Sequence, residues 1–289
     1  VSAKKGRGAL VLAGLAWGTA LGVALGSLVI SPALQEVRGT GQGAQQAETA
    51  NPRAEEAEAQ AEEANALLAE ESGAILADSL KGSAVIVLRA PGAAADDAAR
   101  IRELLDAAGA DNAGEVTLTE KFLAQGSADQ LGSIIANTLP AGAQLSVDAR
   151  SPSRHAGQSL AAALFSDGAG SARATPEDRE FVLSTLAEAG FLEYTGADLA
   201  AANAAVIVGA PDGEDSFADG ALADFAAGLD AESAPVVLAL PGAGNDGVAG
   251  ALASRGETGV VVQDVAETEA GAIQTVRSVR RVIDEAGAQ

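Results

Sequence analysis

Hydrophobic and polar positions divide the chain into one long uncharged stretch, one acidic stretch and a long series of short apolar runs. Residues 9–30, ALVLAGLAWGTALGVALGSLVI, contain twenty-two positions without a charge. About 20 apolar residues cross a hydrocarbon core of about 30 Å as a helix, so this segment is predicted to span a membrane once. It is longer than the roughly 7–15-residue apolar core of a cleaved signal peptide, which favours a retained anchor. Ser31, Pro32 and Ala33 supply the small residues that a cleavage site uses, so cleavage stays open as the alternative. Within the stretch Gly14, Gly18, Gly22 and Gly26 recur every fourth residue. They form a face without side chains on which two helices can approach closely in lipid, and this predicts a helix partner, either a second copy or another membrane protein.

Residues 38–46 are Gly-rich and polar and read as a flexible turn beside the membrane. In residues 53–80 Ala54, Ala57, Ala61, Ala64 and Leu68 recur in steps of three and four among seven glutamates. That spacing is the seam of a short coiled coil or helical hairpin. Because the seam is mostly Ala, a solvated helical spacer fits the same pattern.

From residue 83 the pattern changes to brief apolar runs separated by helical spacing. Residues 83–88 (SAVIVL) and 115–118 read as strands, and so do 204–208, 235–240 and 259–262, which lack polar alternation. Ile101, Leu104 and Leu105 share one helix face, as do Leu131, Ile134 and Ile135 within 127–139. Thr175, Pro176, Glu177 and Asp178 make a helix start with a cap, a first-position proline and acids in the first turn. Phe181, Val182, Leu183 and Leu186 are its predicted apolar side, and residues 268–285 a final helix. Continuous apolar strands alternating with helices predict a mainly parallel sheet covered on both faces, a Rossmann-like α/β domain. Residues 137–155, with Pro140, Gly142 and Pro152, read as its irregular middle. The expected organisation is a cytoplasmic basic terminus (1–8), a transmembrane helix (9–30), a linker and acidic helical stalk (31–80) and an extracytoplasmic α/β domain (81–289).

Charge gives that order a direction. The net charge is −22 overall, yet Lys4, Lys5, Arg7 and Arg38 face only Glu36 up to residue 38, which leaves +3 there and −25 on the remainder. A basic flank before the span places the N-terminus in the cytoplasm and the acidic body outside it. That acidity also excludes a nucleic-acid footprint.

The candidate chemistry is sparse. With no Cys there is no thiolate nucleophile, no disulfide and no Cys-type metal site. Gly242, Gly244 and Gly247 follow an apolar run, with Asp264 twenty-two residues after the first of them, which is the outline of a dinucleotide fingerprint. The short following helix, the position near the C-terminus and Asp246 inside the loop all favour a plain turn. His155 reads as a surface loop residue. Asp96 and Asp97, residues 212–215 and residues 264–269 are acid clusters without EF-hand spacing, and solvated loops suit them better than Ca²⁺ or Mg²⁺ sites. No catalytic, cofactor-binding or metal-binding residues are assigned, no small-molecule substrate is identified, and the residues indicate no enzyme.

Taken together, residues 22–27 (GVALGS), 84–91 (AVIVLRAP), 116–123 (VTLTEKFL), 139–146 (LPAGAQLS), 189–194 (AGFLEY) and 202–208 (ANAAVIV) resemble the MctB copper transporter family, which includes SteB-like corynebacterial members. The resemblance implies an actinobacterial cell-envelope protein, named for copper transport and linked to the outer membrane in limiting intracellular copper. Through the corynebacterial members it also implies a single-pass scaffold that acts with a SteA-like membrane partner in cell separation and peptidoglycan hydrolysis. The residues themselves argue for the inner membrane. They also lack a copper ligand set, since Cu(I) prefers thiolate or thioether and Cu(II) imidazole, and the chain has no Cys, no Met and one His.

Overall fold

The computed structural model describes residues 42–167, 169–195, 199–211, 215–244, 246–256, 258–265 and 268–287, with side chains from Glu56 onward. The predicted span and Gly14, Gly18, Gly22 and Gly26 lie outside the described residues, and so does the side chain of Ala54. Among the described residues no helix is long and apolar enough to cross a membrane. The chain divides into two compact units at Ala64 and Asn65.

In the first unit the described residues are helical, forming the beginning of α1 (Gln42–Leu76). The helix starts earlier than the turn expected at 38–46 allowed and runs through Pro52. Ala, Gln and Glu have high helix propensity, and their density around Gly43 and Pro52 outweighs these two breakers. Along the predicted seam Ala57 is half-buried while Ala61 and Ala64 are exposed.

The second unit takes up α1 at Asn65. Leu68, Ser72 and Leu76 face inward there, and α1 stops four residues before the predicted limit of 80. Asp78 adopts φ 58°, and the Ser79 and Leu80 amides donate to the carbonyls of Leu76 and Ala108. The chain then enters a sheet of six strands: β1 (Ala84–Arg89), β2 (Asp111–Leu118), β3 (Leu192–Tyr194), β4 (Ala204–Val208), β5 (Val236–Leu240) and β6 (Val261–Asp264). Their spatial order is β3-β2-β1-β4-β5-β6. All neighbours are parallel except β2 and β3.

The helices follow in chain order: α2 (Ala95–Ala107), α3 (Glu120–Leu123), α4 (Ala128–Asn137), α5 (Pro152–Leu164), α6 (Pro176–Glu188), α7 (Ser216–Ala231), α8 (Gly247–Ala253) and α9 (Glu269–Ala286). Successive strand residues point to opposite faces, which builds two cores. Ile86, Leu88, Ile207 and Leu238 pack under α4 to α8. Val85, Val87, Val206 and Val237 pack under α2, α9 and the last turns of α1. The expected two-faced parallel sheet is present, with an antiparallel edge strand that the sequence pattern did not reveal.

Several local expectations are corrected. The strand expected at 115–118 starts at Asp111, because Asn112 and Gly114 carry it past a bulge opposite Val85 and Val87. The run at 259–262 becomes β6 (Val261–Asp264), half-buried over Val261 to Gln263, since among the described residues it is the edge of the sheet. The supposedly irregular residues 137–155 end at Ser151, whose side chain accepts from the Arg154 amide with Pro152 at the first helical position. The helix start at Thr175 and Pro176 is built the same way. Phe181 is 56% exposed, while Val182, Leu183 and Leu186 are fully buried, because α6 turns only that narrower stripe inward.

Among the described glycines the closest approach of backbone to backbone joins α5 to α7. A Cβ built on Gly157 would overlap the Phe225 carbonyl oxygen and lie 2.9 Å from the Gly228 Cα; one on Gly228 would overlap the Arg154 carbonyl oxygen. The two helices meet backbone against backbone. Nearby the Phe122 ring of α3 stands edge-on to Phe225, with centroids 5.2 Å apart.

Gly157→Ala and Gly228→Ala are each expected to lower unfolding free energy by about 2 kcal/mol or more, because overpacking against immovable backbone is destabilising. Gly73→Ala in exposed α1, where a Cβ meets nothing within 4 Å, should raise it by up to about 1 kcal/mol. Denaturant melts of the three variants test this. A gain in stability at position 157 or 228 refutes the packing account.

Candidate functional site

The strand order reverses between β1 and β4, and in open parallel sheets ligands bind outside the carboxyl ends of the strands at such a switch point. Here the loop after β1 leads to α2 on one face and the loop after β4 leads to α7 on the other. The loops touch: Gly92, at φ 77°, would place a Cβ 3.3 Å from the Ala210 Cβ. Beside this contact lies a groove of about 390 Å³, walled by Pro91, Leu123, Pro211, Leu222 and Val248 and edged by Glu120, Asp215 and Asp219.

The charge at this end of the sheet is set by the helix starts. A helix N-terminus attracts anions, but here the chain supplies its own. Asp215 accepts from the Phe217 and Ala218 amides at 3.0 and 3.2 Å through the same oxygen. Asp96 and Asp97 lie in the first turn of α2, Glu120 in that of α3 and Glu269 in that of α9. Glu269 is held by Arg100, whose Nε lies 2.9 Å from Oε2, and the pair raises the guanidinium pKa further. Arg100 also reaches Glu103 and the Ser72 hydroxyl of α1, so one side chain ties α1, α2 and α9 together. A phosphate brought here would meet carboxylates.

The glycine fingerprint is a turn. It follows β5 and not β1, α8 behind it has seven residues, and the Asp264 carboxylate accepts the Gly242 amide at 3.0 Å. The acid that would hold a ribose therefore closes its own loop. His155 is not a loop residue: it sits half-buried in α5, its Nε2 2.9 Å from the Ser146 carbonyl oxygen. Ser151 and Pro152 were the signal that would have placed it on a helix. Of the acid clusters, residues 212–214, 266 and 267 lie outside the described residues. Among the described residues no group of three or more His, Asp or Glu is placed to hold a metal ion. Of the stalk seam, Leu68 packs against the domain core; Ala57, Ala61 and Ala64 belong to the other unit.

A larger cavity of about 670 Å³ opens at the opposite end of the sheet, among Asp167, Arg173, Asn203, Asp230 and Gly259. Arg173 is occupied with the carbonyls of Ser166 and Glu232. Burial raises the Asp230 carboxyl pKa, opposed by the Gly259 amide and by Arg154.

The family described as "Copper transport outer membrane protein, MctB" matches residues 6–289. The chain belongs to the MctB family. Among its relatives, the protein named copper transporter MctB of Mycobacterium leprae is 34% identical over 223 residues, covering 74% of this chain and 67% of that one. The copper transporters MctB of Mycobacterium tuberculosis and Mycobacterium bovis are 35% identical over 180 residues, which is 61% of this chain. The match spans 56% of the length of these two relatives. MctB family membership accounts for the ordered resemblances along the sequence, and none of the segments that carry it contains a cysteine or methionine.

Asp230 gives a signed pH prediction. A carboxyl whose pKa rises on folding binds its proton more tightly in the native state, so its contribution is full below the ordinary 3.8 and is lost as pH climbs through the raised value. Asp230→Asn keeps an oxygen for the Gly259 amide without that loss. The stability of Asp230→Asn relative to the parent should increase from pH 3.8 toward neutrality in paired thermal melts, and a flat or falling difference refutes it.

Proposed function

We propose that the chain is an anchored, non-enzymatic envelope component of copper transport, holding an extracytoplasmic α/β domain on an acidic helical stalk. The observation that carries this reading is the family match along residues 6–289, with relatives named for copper transport. Its own part is to hold partners and not to coordinate the metal, because no Cys, no Met and a single His cannot assemble a thiolate, thioether or multi-imidazole copper site. The basic flank and uncharged span orient it with the N-terminus in the cytoplasm. In a deletion strain the tolerated copper concentration should fall and be restored equally by the parent chain and by His155→Ala. Failure of the parent to restore tolerance removes the copper reading, and failure of His155→Ala alone shows metal chemistry at that residue.

A second reading rests on the fourfold glycine face and the Ala-rich seam: a scaffold that regulates cell separation and peptidoglycan hydrolysis with a SteA-like membrane partner or a second copy. It predicts unseparated daughter cells in the same deletion strain with normal copper tolerance. Gly18→Leu with Gly22→Leu should abolish partner co-purification from membranes, because the added side chains prevent close helix approach. Unchanged co-purification and unchanged oligomeric state dispose of the helix interface.

A further inference from the structure

We infer that the groove beside the β1–β4 switch point is a docking site for a lysine- or arginine-bearing polypeptide segment of a partner protein. This deepens the reading of the chain as a partner-holding component.

The occupant follows from shape and sign. Leu123, Leu222 and Val248 give the groove an apolar interior, while Glu120 and Asp215 supply charge at its rim. No basic residue lines it among the described residues. Two basic residues on neighbouring elements are engaged elsewhere: Lys121 donates to the Ala189 carbonyl and lies over the Phe191 ring, and Arg255 pairs with Asp224. Phosphates and other anions are excluded, because the α7 amides that would receive them are already capped by Asp215. A bare metal ion would find mostly carbon. What fits is an aliphatic stem ending in a cation, since Lys and Arg lay their methylenes along apolar surface and keep the charged head at a polar rim. About 390 Å³ accommodates one or two such side chains, on the scale of pockets for small ligands of roughly 300–1,000 Å³. A half-open groove suits side chains presented by a polypeptide segment, and the surrounding −25 body attracts basic partners at long range.

The test uses the full chain in zwitterionic nanodiscs and fluorescence anisotropy of a labelled hexapeptide with two lysines among leucines and alanines. Glu120→Gln with Asp215→Asn removes two rim charges while Asn keeps the helix cap, and binding should weaken about ten-fold. Glu58→Gln with Glu62→Gln removes the same charge from exposed α1 and should change affinity less than about two-fold. Ala124→Arg, at an exposed position in the groove lining, puts an internal guanidinium into the site and should abolish binding; it decides the matter if the double variant melts early. Equal losses from both double variants, equal binding of a peptide with glutamate for lysine, or unimpaired binding by Ala124→Arg overturns the proposal. Cadaverine displacing the peptide at the peptide's own concentration overturns the polypeptide occupant in favour of a small amine. None of these arms reads copper tolerance or cell separation, so their failure is distinct from failure of the functional reading.

Discussion

The fold depends on how closely its helices can approach one another and the parallel sheet when the side chains between them are small. Four of the six phenylalanines, Phe122, Phe165, Phe191 and Phe225, are fully buried, and the rest of the interior is mostly Ala, Val, Leu and Ile. Small residues contribute little buried area each, so contact has to come from proximity. The α5–α7 crossing at Gly157 and Gly228 takes this to its limit, with the Arg154 and Phe225 carbonyls filling the space where Cβ atoms would stand. Holding α7 in that position also fixes its first turn, and with it Asp215, at the rim of the switch-point groove.

The same end of the sheet shows how helix electrostatics set what the domain accepts. Related topologies use glycine-rich helix starts to receive phosphate. In this chain a carboxylate stands at the start of each helix that borders the switch point. Asp215 caps α7, and Glu269 at the start of α9 is matched by Arg100. The macrodipoles are satisfied from within, and the surplus of charge that remains outside them is negative. Acidic composition, which at first bears only on topology and nucleic-acid exclusion, becomes a statement about the polarity of one particular groove.

The sequence made legible those features that local pattern controls. Apolar runs located β1, β4 and β5 because strands buried on both faces have no polar alternation, and Thr175 with Pro176 marked the start of α6. β3 escaped because three residues, Leu192 to Tyr194, with one of them exposed, carry no period. The start of α5 was hidden because Pro152, beside Pro140 and Gly142, counts as a helix breaker unless Ser151 before it is taken as the cap. Phe181 misled because a helix stripe is fixed by what the helix packs on, not by hydrophobicity alone. Long-range ties left no trace in sequence: nothing in the spacing of Ser72, Arg100 and Glu269 announces that they meet, nor that Asp264 folds back on Gly242.

The family's copper label and the residues of this chain differ in ligand chemistry. Carboxylates are hard oxygen ligands suited to Mg²⁺, Ca²⁺ and Mn²⁺, and they lack the softness that selects Cu(I). An acidic domain concentrates cations within a Debye length of about 8 Å at physiological ionic strength, which raises their local level without choosing among them. Choosing copper takes thiolate, thioether or clustered imidazole, and of these the sequence holds one imidazole, His155. With its one histidine tied to the Ser146 carbonyl and an acidic rim on the apolar walls of its switch-point groove, the domain presents charge and shape where a copper site would present soft ligands.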